Sequence, residues 1–239
     1  AGDIQPAYSF LAARARCPLT GRSTRTRCGK GPHGAVGNHA PCGPLPQRAG
    51  HLHVRPQMKP ASVILHGPSS SGKSSLARAL QARWPGPLLH VDLDAFELMS
   101  EGTLLPTLDD RREAFRLHCA NLQATLRNIA ATRFSLVLDF VLRDAAQFAR
   151  CLDALSGRAV YVVGVRCDLD VLEARERQRG DRDIGLGRAQ FAHPEFSRSY
   201  DLLIDTTQQT ADAGAEEIWS FVAMRQALDG GGSNGAAAV

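Results

Sequence analysis

The octapeptide Gly67-Pro68-Ser69-Ser70-Ser71-Gly72-Lys73-Ser74 constrains this chain more than any other feature. It satisfies G-x-x-x-x-G-K-[ST]. It follows an apolar run, Ala61-Ser62-Val63-Ile64-Leu65-His66, and opens a helical pattern over 73–83. A strand, a glycine-bounded turn and a helix in that order leave few architectures open. Gly67 and Gly72 let the backbone wrap an anion without a Cβ in the way. The N–H groups of 70–74 can then converge at a helix N-terminus, where donors and dipole both favour phosphate. Lys73 offers a point charge to β- and γ-phosphates, and the Ser74 hydroxyl is placed for Mg²⁺. With Ser75 beside them, residues 67–75 are the candidate nucleotide-binding set, and ATP with Mg²⁺ is the implied cofactor.

Beyond residue 60 the pattern alternates. Strands are predicted over 61–66, 87–92, 135–141, 159–167 and 201–206. Helices are predicted over 73–83, 108–131, 144–155, 168–178, 186–192 and 210–228. Alternation of this kind reads as α/β, a parallel sheet flanked by helices. The long helix repeats apolar residues at Phe115, Leu122, Leu126 and Ile129. The kinase-sized body therefore covers 60–228, and 229–239 reads as a loose tail.

A phosphate loop alone does not separate a motor, a GTPase switch and a small-molecule kinase. No N-K-x-D base-reading motif is present. A small kinase needs a base near the acceptor hydroxyl and arginines over the phosphoryl group. The second strand ends in Val91-Asp92, and ligands of parallel sheets lie beyond such carboxyl ends. Asp92 is the candidate general base, with Asp94 capping the turn over 95–99. The third strand ends in Leu136-Val137-Leu138-Asp139, which gives Asp139 a choice of duties: holding Mg²⁺ with Ser74, orienting Lys73, or capping the next helix. The run Arg175-Glu176-Arg177-Gln178-Arg179-Gly180-Asp181-Arg182 reads as a mobile arginine lid whose guanidiniums offset charge on the phosphoryl group. A nucleotide-binding module without acceptor chemistry is the alternative, and Asp92 argues against it, because nucleotide binding alone needs no carboxylate there.

These residues together resemble the chloramphenicol phosphotransferase family of P-loop kinases. The resemblance spans about 61–228 and rests on 63–74, Val91-Asp92, Tyr161–Asp168, Arg175–Gly185, His193 and Tyr200–Thr207, with the Arg-Gly-Asp-Arg and Asp-Thr-Thr segments the most specific. It implies a nucleoside-monophosphate-kinase-like fold with a five-stranded parallel sheet. It implies ATP- and Mg²⁺-dependent phosphorylation of a small molecule's hydroxyl, with chloramphenicol or a related antibiotic as candidate and a metabolite as the alternative acceptor. The family's base falls on Asp92 and its lid arginines on Arg175, Arg179 and Arg182. Two features depart from the family: a single acid, Asp139, ends the third strand, and 93–107 shows little similarity.

Charge divides the chain. Residues 1–59 hold nine of the 28 basic residues and one of the 24 acids, a balance of +8; the other 180 residues balance at −4. The first segment also holds eight of the 22 Gly and seven of the 13 Pro, with no hydrophobic period, and reads as a disordered basic arm. Its Cys28, His33, His39 and Cys42 lack the paired spacing of a zinc site. The acidic body gives no reason to expect a nucleic-acid partner. No apolar run approaches the ~20 residues of a membrane helix. Cys119, Cys151 and Cys167, an odd number inside regular patterns, read as buried reduced thiols of a cytoplasmic protein.

Overall fold

The computed structural model describes residues 58–100, 105–141, 144–179, 185–193, 196 and 198–231. Strand β1 (Ala61–His66) runs into helix α1 (Lys73–Arg83), then β2 (Leu88–Asp92) and the short α2 (Asp94–Glu97). The long α3 (Leu108–Ala130), β3 (Ser135–Asp139), α4 (Ala145–Ala154) and β4 (Ala159–Arg166) follow. Helices α5 (Leu169–Arg179) and α6 (Leu186–Phe191), strand β5 (Leu202–Asp205) and α7 (Ala211–Gly231) complete the described chain. The five strands pair in parallel in the order β2-β3-β1-β4-β5. From β1 the chain fills one side of the sheet and then crosses to the other, so β1 is where a doubly wound sheet opens a crevice at its carboxyl edge.

Every residue of β1 is buried, as a strand covered on both faces requires. Successive residues alternate between two cores. Ala61, Val63 and Leu65 pack with Leu76, Leu80, Ile218 and Val222 of α1 and α7. Ile64 faces the opposite core, with Leu122, Leu126, Phe148 and Leu155 of α3 and α4. Phe115 and Ile129 pack against that same core, so the predicted apolar stripe of α3 is its buried face. Leu126 is fully buried. Its substitution, Leu126→Ala, is expected to cost about 2–5 kcal/mol through transfer and cavity terms. Equilibrium denaturant unfolding measures this, and a loss within experimental error would contradict the packing described.

Local chemistry sets the helix ends. α1 starts after Gly72, whose φ of 99° is left-handed, and stops at Trp84, whose ψ of 134° is extended ahead of Pro85. Thr107 and Asp110 form a capping box at α3, and the Asp144 carboxylate caps α4 at Gln147 N–H. Most predicted bounds shift by a residue or two, strand 135–141 ending already at Asp139, and three differences change what the segments are. The turn after β2 is a helix, α2. The presumed tail begins later, because α7 continues to Gly231. Met58 and Lys59, read with the arm, join the body: Met58 packs on the α1/α7 core, and Lys59 exchanges two backbone hydrogen bonds with the Gln226 side chain, both 3.0 Å. The remaining arm, 1–57 with its cysteines and histidines, and 232–239 lie outside the described residues. Cys119, Cys151 and Cys167 are not in disulfides; desolvation pushes Cys151 up to about 12, which makes it inert. No helix among the described residues is long and apolar enough to cross a membrane.

Candidate active site

At the carboxyl edge of the sheet, a cleft of about 790 Å³ collects the candidate residues. The loop between β1 and α1 forms its floor. Gly67 is required by crowding, because a Cβ there would stand 2.1 Å from the Val165 carbonyl oxygen. Ser70 takes φ of 64°, an unusual left-handed value outside glycine. The loop is fastened at three points. Ser69 N–H donates to Gln190 Oε1 at 2.6 Å. Thr206 Oγ1 donates to the Ser71 carbonyl at 2.7 Å. Lys73 Nζ donates to the Pro68 carbonyl at 2.8 Å. Ser70 Oγ and Ser71 Oγ are buried with no hydrogen-bond partner. Unsatisfied buried hydroxyls inside a glycine-bounded cradle fit a polar ligand rich in acceptors. A polyphosphate is such a ligand, so the loop fits ATP.

Strand register places the two candidate carboxylates side by side: Asp92 of β2 is the direct partner of Asp139 of β3. Their environments differ. Asp92 is half-buried, and its Oδ1 accepts from Ala95 N–H at 2.6 Å. The capping task expected of Asp94 is thus performed by Asp92, because the cap position of α2 is Leu93 and the preceding carboxylate reaches the turn. Asp94 lines the cleft together with Glu97. Asp139 is buried, with 8% of its surface exposed. Burial pushes its carboxyl up, but His90, the Lys73 charge and the Ser74 hydroxyl outweigh that and hold it below the usual carboxylate range. Its stabilising contribution is therefore complete above the ordinary carboxylate pKa and is lost as the pH falls through the lowered value. Asp139 caps no helix, since α4 is capped by Asp144. A hydroxyl and an ionised carboxylate make a hard oxygen donor set, which fits Mg²⁺ completed by water and phosphate oxygens.

His90 was not singled out by the sequence. It lines the cleft on β2 with Nε2 3.7 Å from Asp139 Oδ2, beyond hydrogen-bond distance. On the other wall, Arg175 reaches Thr206 through Nη1 to Oγ1 at 3.0 Å and Nη2 to the carbonyl at 2.6 Å. It therefore belongs to the α5 wall, pinned to the same threonine that holds Ser71. Arg179, the last residue of α5, also lines the cleft. Arg182 lies outside the described residues. Ser69, Ser70, Gly72, Ser74 and Ser75 line the cleft with Lys73. The Asp-Thr-Thr segment is structural in its contacts: Thr207 Oγ1 accepts from Asp168 N–H at 2.9 Å, and Thr206 N–H bonds the Arg166 carbonyl at 2.8 Å.

A parallel sheet in this order, opened by a phosphate loop with basic residues on one wall and carboxylates on the other, defines a P-loop kinase fold. Solved structures agree on the fold. The APS kinase of Mycobacterium tuberculosis aligns with a TM-score of 0.53 at 18% identity, over 70% of this chain and 99% of that one. A gluconokinase from Sinorhizobium meliloti aligns at 0.52 and 19%, over 74% and 99%. The model of the family described as chloramphenicol phosphotransferase-like protein matches residues 61–223, and the chain belongs to that family. A Mycobacterium tuberculosis protein named "Putative O-phosphotransferase" is 26% identical over 178 residues, 65% of this chain and 79% of that protein. A tRNA dimethylallyltransferase of Anaeromyxobacter dehalogenans is 31% identical over 101 residues; the match spans 42% of this chain and about a third, 33%, of that protein's length. The chain is a P-loop kinase of the chloramphenicol phosphotransferase-like family.

Proposed function

We propose that the protein transfers the γ-phosphoryl group of ATP to a hydroxyl of a small molecule, with chloramphenicol or a related antibiotic as the first acceptor to test. The observation that carries the reading is one cleft holding both a phosphate loop with a buried lysine and a carboxylate at the end of a nearby strand. Bound MgATP supplies the phosphoryl group and part of the charge neutralisation that transfer requires. The amides of 70–74, with Gly67, Pro68 and Ser69 shaping the loop, hold the phosphates, and Lys73 balances charge at the β/γ positions. Ser74 and Asp139 are the residues that would hold Mg²⁺. Asp92 keeps its turn in place through Oδ1, and its Oδ2 accepts the proton of the acceptor hydroxyl. Arg175 and Arg179, with Arg182, offset negative charge on the phosphoryl group.

ADP release measured with and without a panel of hydroxylated compounds tests this. Release that depends on an acceptor is expected, and the phosphorylated product locates the hydroxyl. Turnover with another alcohol but not chloramphenicol would retain the kinase and replace the acceptor with a metabolite. ADP release unresponsive to every acceptor would leave a nucleotide-binding module and refute the proposal.

A further inference from the structure

We propose that Gln190 is a positioning residue of the nucleotide site: it fixes the first half of the phosphate loop through Ser69 and ties α6 to that loop. The inference rests on the reading of the loop as a site for MgATP. Gln190 lies far from the loop in sequence and is 6% exposed. Its Oε1 takes the Ser69 N–H at 2.6 Å. Its Nε2 is buried with no hydrogen-bond partner. A buried amide with an orphaned donor is a poor device for stability, because an apolar side chain of similar volume would fill the space without that desolvation cost. What the amide provides is a neutral acceptor. It satisfies Ser69 N–H, and it places no negative charge behind a site for polyphosphate.

The position of Gln190 is itself set by α5. Glu176 is 1% exposed, and its two oxygens accept from Gly185 N–H at 2.8 Å and Gly187 N–H at 2.9 Å, fixing the start of α6. Gly187 then sits so close to its neighbours that a Cβ would stand 2.0 Å from Leu172 Cδ2 and 3.4 Å from the Ser69 carbonyl oxygen. The α6 backbone therefore lies against the loop at the residue that Gln190 holds. From the opposite side, Thr206 holds Ser71 and is held by Arg175 of α5. Two hydrogen bonds, on Ser69 and on Ser71, thus lock the loop to the helix pair that carries Arg175 and Arg179. Removing the Gln190 bond takes the acceptor from Ser69 N–H, and the loop that follows is held less firmly.

The variant Gln190→Met keeps volume, removes the acceptor and also removes the orphaned Nε2. MgADP binding by titration calorimetry is expected to weaken about tenfold, with KM for ATP raised alike, the scale of one lost buried hydrogen bond. The midpoint of thermal unfolding without nucleotide should stay near the parental one, and KM for the acceptor should change less than about threefold. A folded Gln190→Met with parental MgADP affinity overturns the proposal. A second measurement needs no variant. In the parental chain without nucleotide, Ser69 N–H should be protected from hydrogen exchange by at least ~10²-fold, because Gln190 already engages it. An unprotected Ser69 amide overturns the proposal whatever the variant does. Absence of MgADP binding by the parental protein would instead refute the nucleotide reading itself.

Discussion

Lys73→Ala is expected to lower turnover by about 10³–10⁵-fold, the range lost when a preorganised cation is removed from a phosphoryl-transfer site. The size follows from where the ammonium sits. Lys73 is 5% exposed, anchored on the Pro68 carbonyl and close enough to Asp139 to lower that carboxyl's pKa. A charge in so dry a place stabilises developing negative charge far more than it could in water. The fold should survive, because α1 is held by buried Leu76, Ala77 and Leu80, none of which the substitution touches. One secondary effect has a sign. With the ammonium gone, Asp139 loses a lowering influence, so its carboxyl should titrate higher and its contribution to stability should fade at a higher pH than in the parent. Lys73→Arg should not restore the rate, since a planar fork cannot occupy the place of a compact point charge. Steady-state turnover beside thermal unfolding measures both sides. A folded Lys73→Ala variant within tenfold of parental turnover would remove this loop from the chemistry.

The phosphate loop and its flanking elements were legible in the sequence because each is a local signal. Glycines bound the turn, an apolar run precedes it, and α1 begins and ends where predicted, at Lys73 and Arg83. The five parallel strands were legible as short apolar runs, continuous in β1 and β3, which are buried throughout, and weaker in the part-exposed edge strands β2 and β5. What escaped was long-range side chain–backbone bonding. Glu176 stands inside a charge run that reads as solvated or lid-forming, yet it is buried and bonded to two glycine amides. Gln190 and Thr206 belong to no motif that predicts their targets, Ser69 and Ser71, because those contacts span 121 and 135 residues. His90 alternates with Asp92 on a strand, and only the pairing of β2 with β3 brings it to Asp139. Met58 and Lys59, read with the arm, escaped because their partners are distant in sequence: Met58 packs on the core shared by α1 and α7, and Lys59 bonds Gln226 of α7.

Asp92→Asn is expected to lower kcat by about 10²–10⁴-fold, the typical worth of general-base catalysis. The substitution separates the two tasks that one carboxylate performs. Asn retains an oxygen for the Ala95 N–H, so α2 and the adjoining wall of the cleft should keep their shape. It removes the only property the turn does not need, the capacity to take a proton. MgATP affinity should change little, because phosphate binding rests on 67–74 and Lys73. A small gain is even consistent with the register, since Asp92 stands directly opposite the ionised Asp139 and its charge adds to the negative side of the cleft. Asp92→Ala would confound the result by also releasing the turn, so the amide is the informative variant. The assay uses whichever acceptor gives the highest parental turnover, with chloramphenicol tried first at its primary hydroxyl. A defect confined to kcat identifies a proton acceptor, whereas a defect confined to acceptor KM identifies a binding group. Full turnover by Asp92→Asn would return Asp92 to turn-capping alone. The base would then be sought at Asp94, which lines the same wall two residues further on.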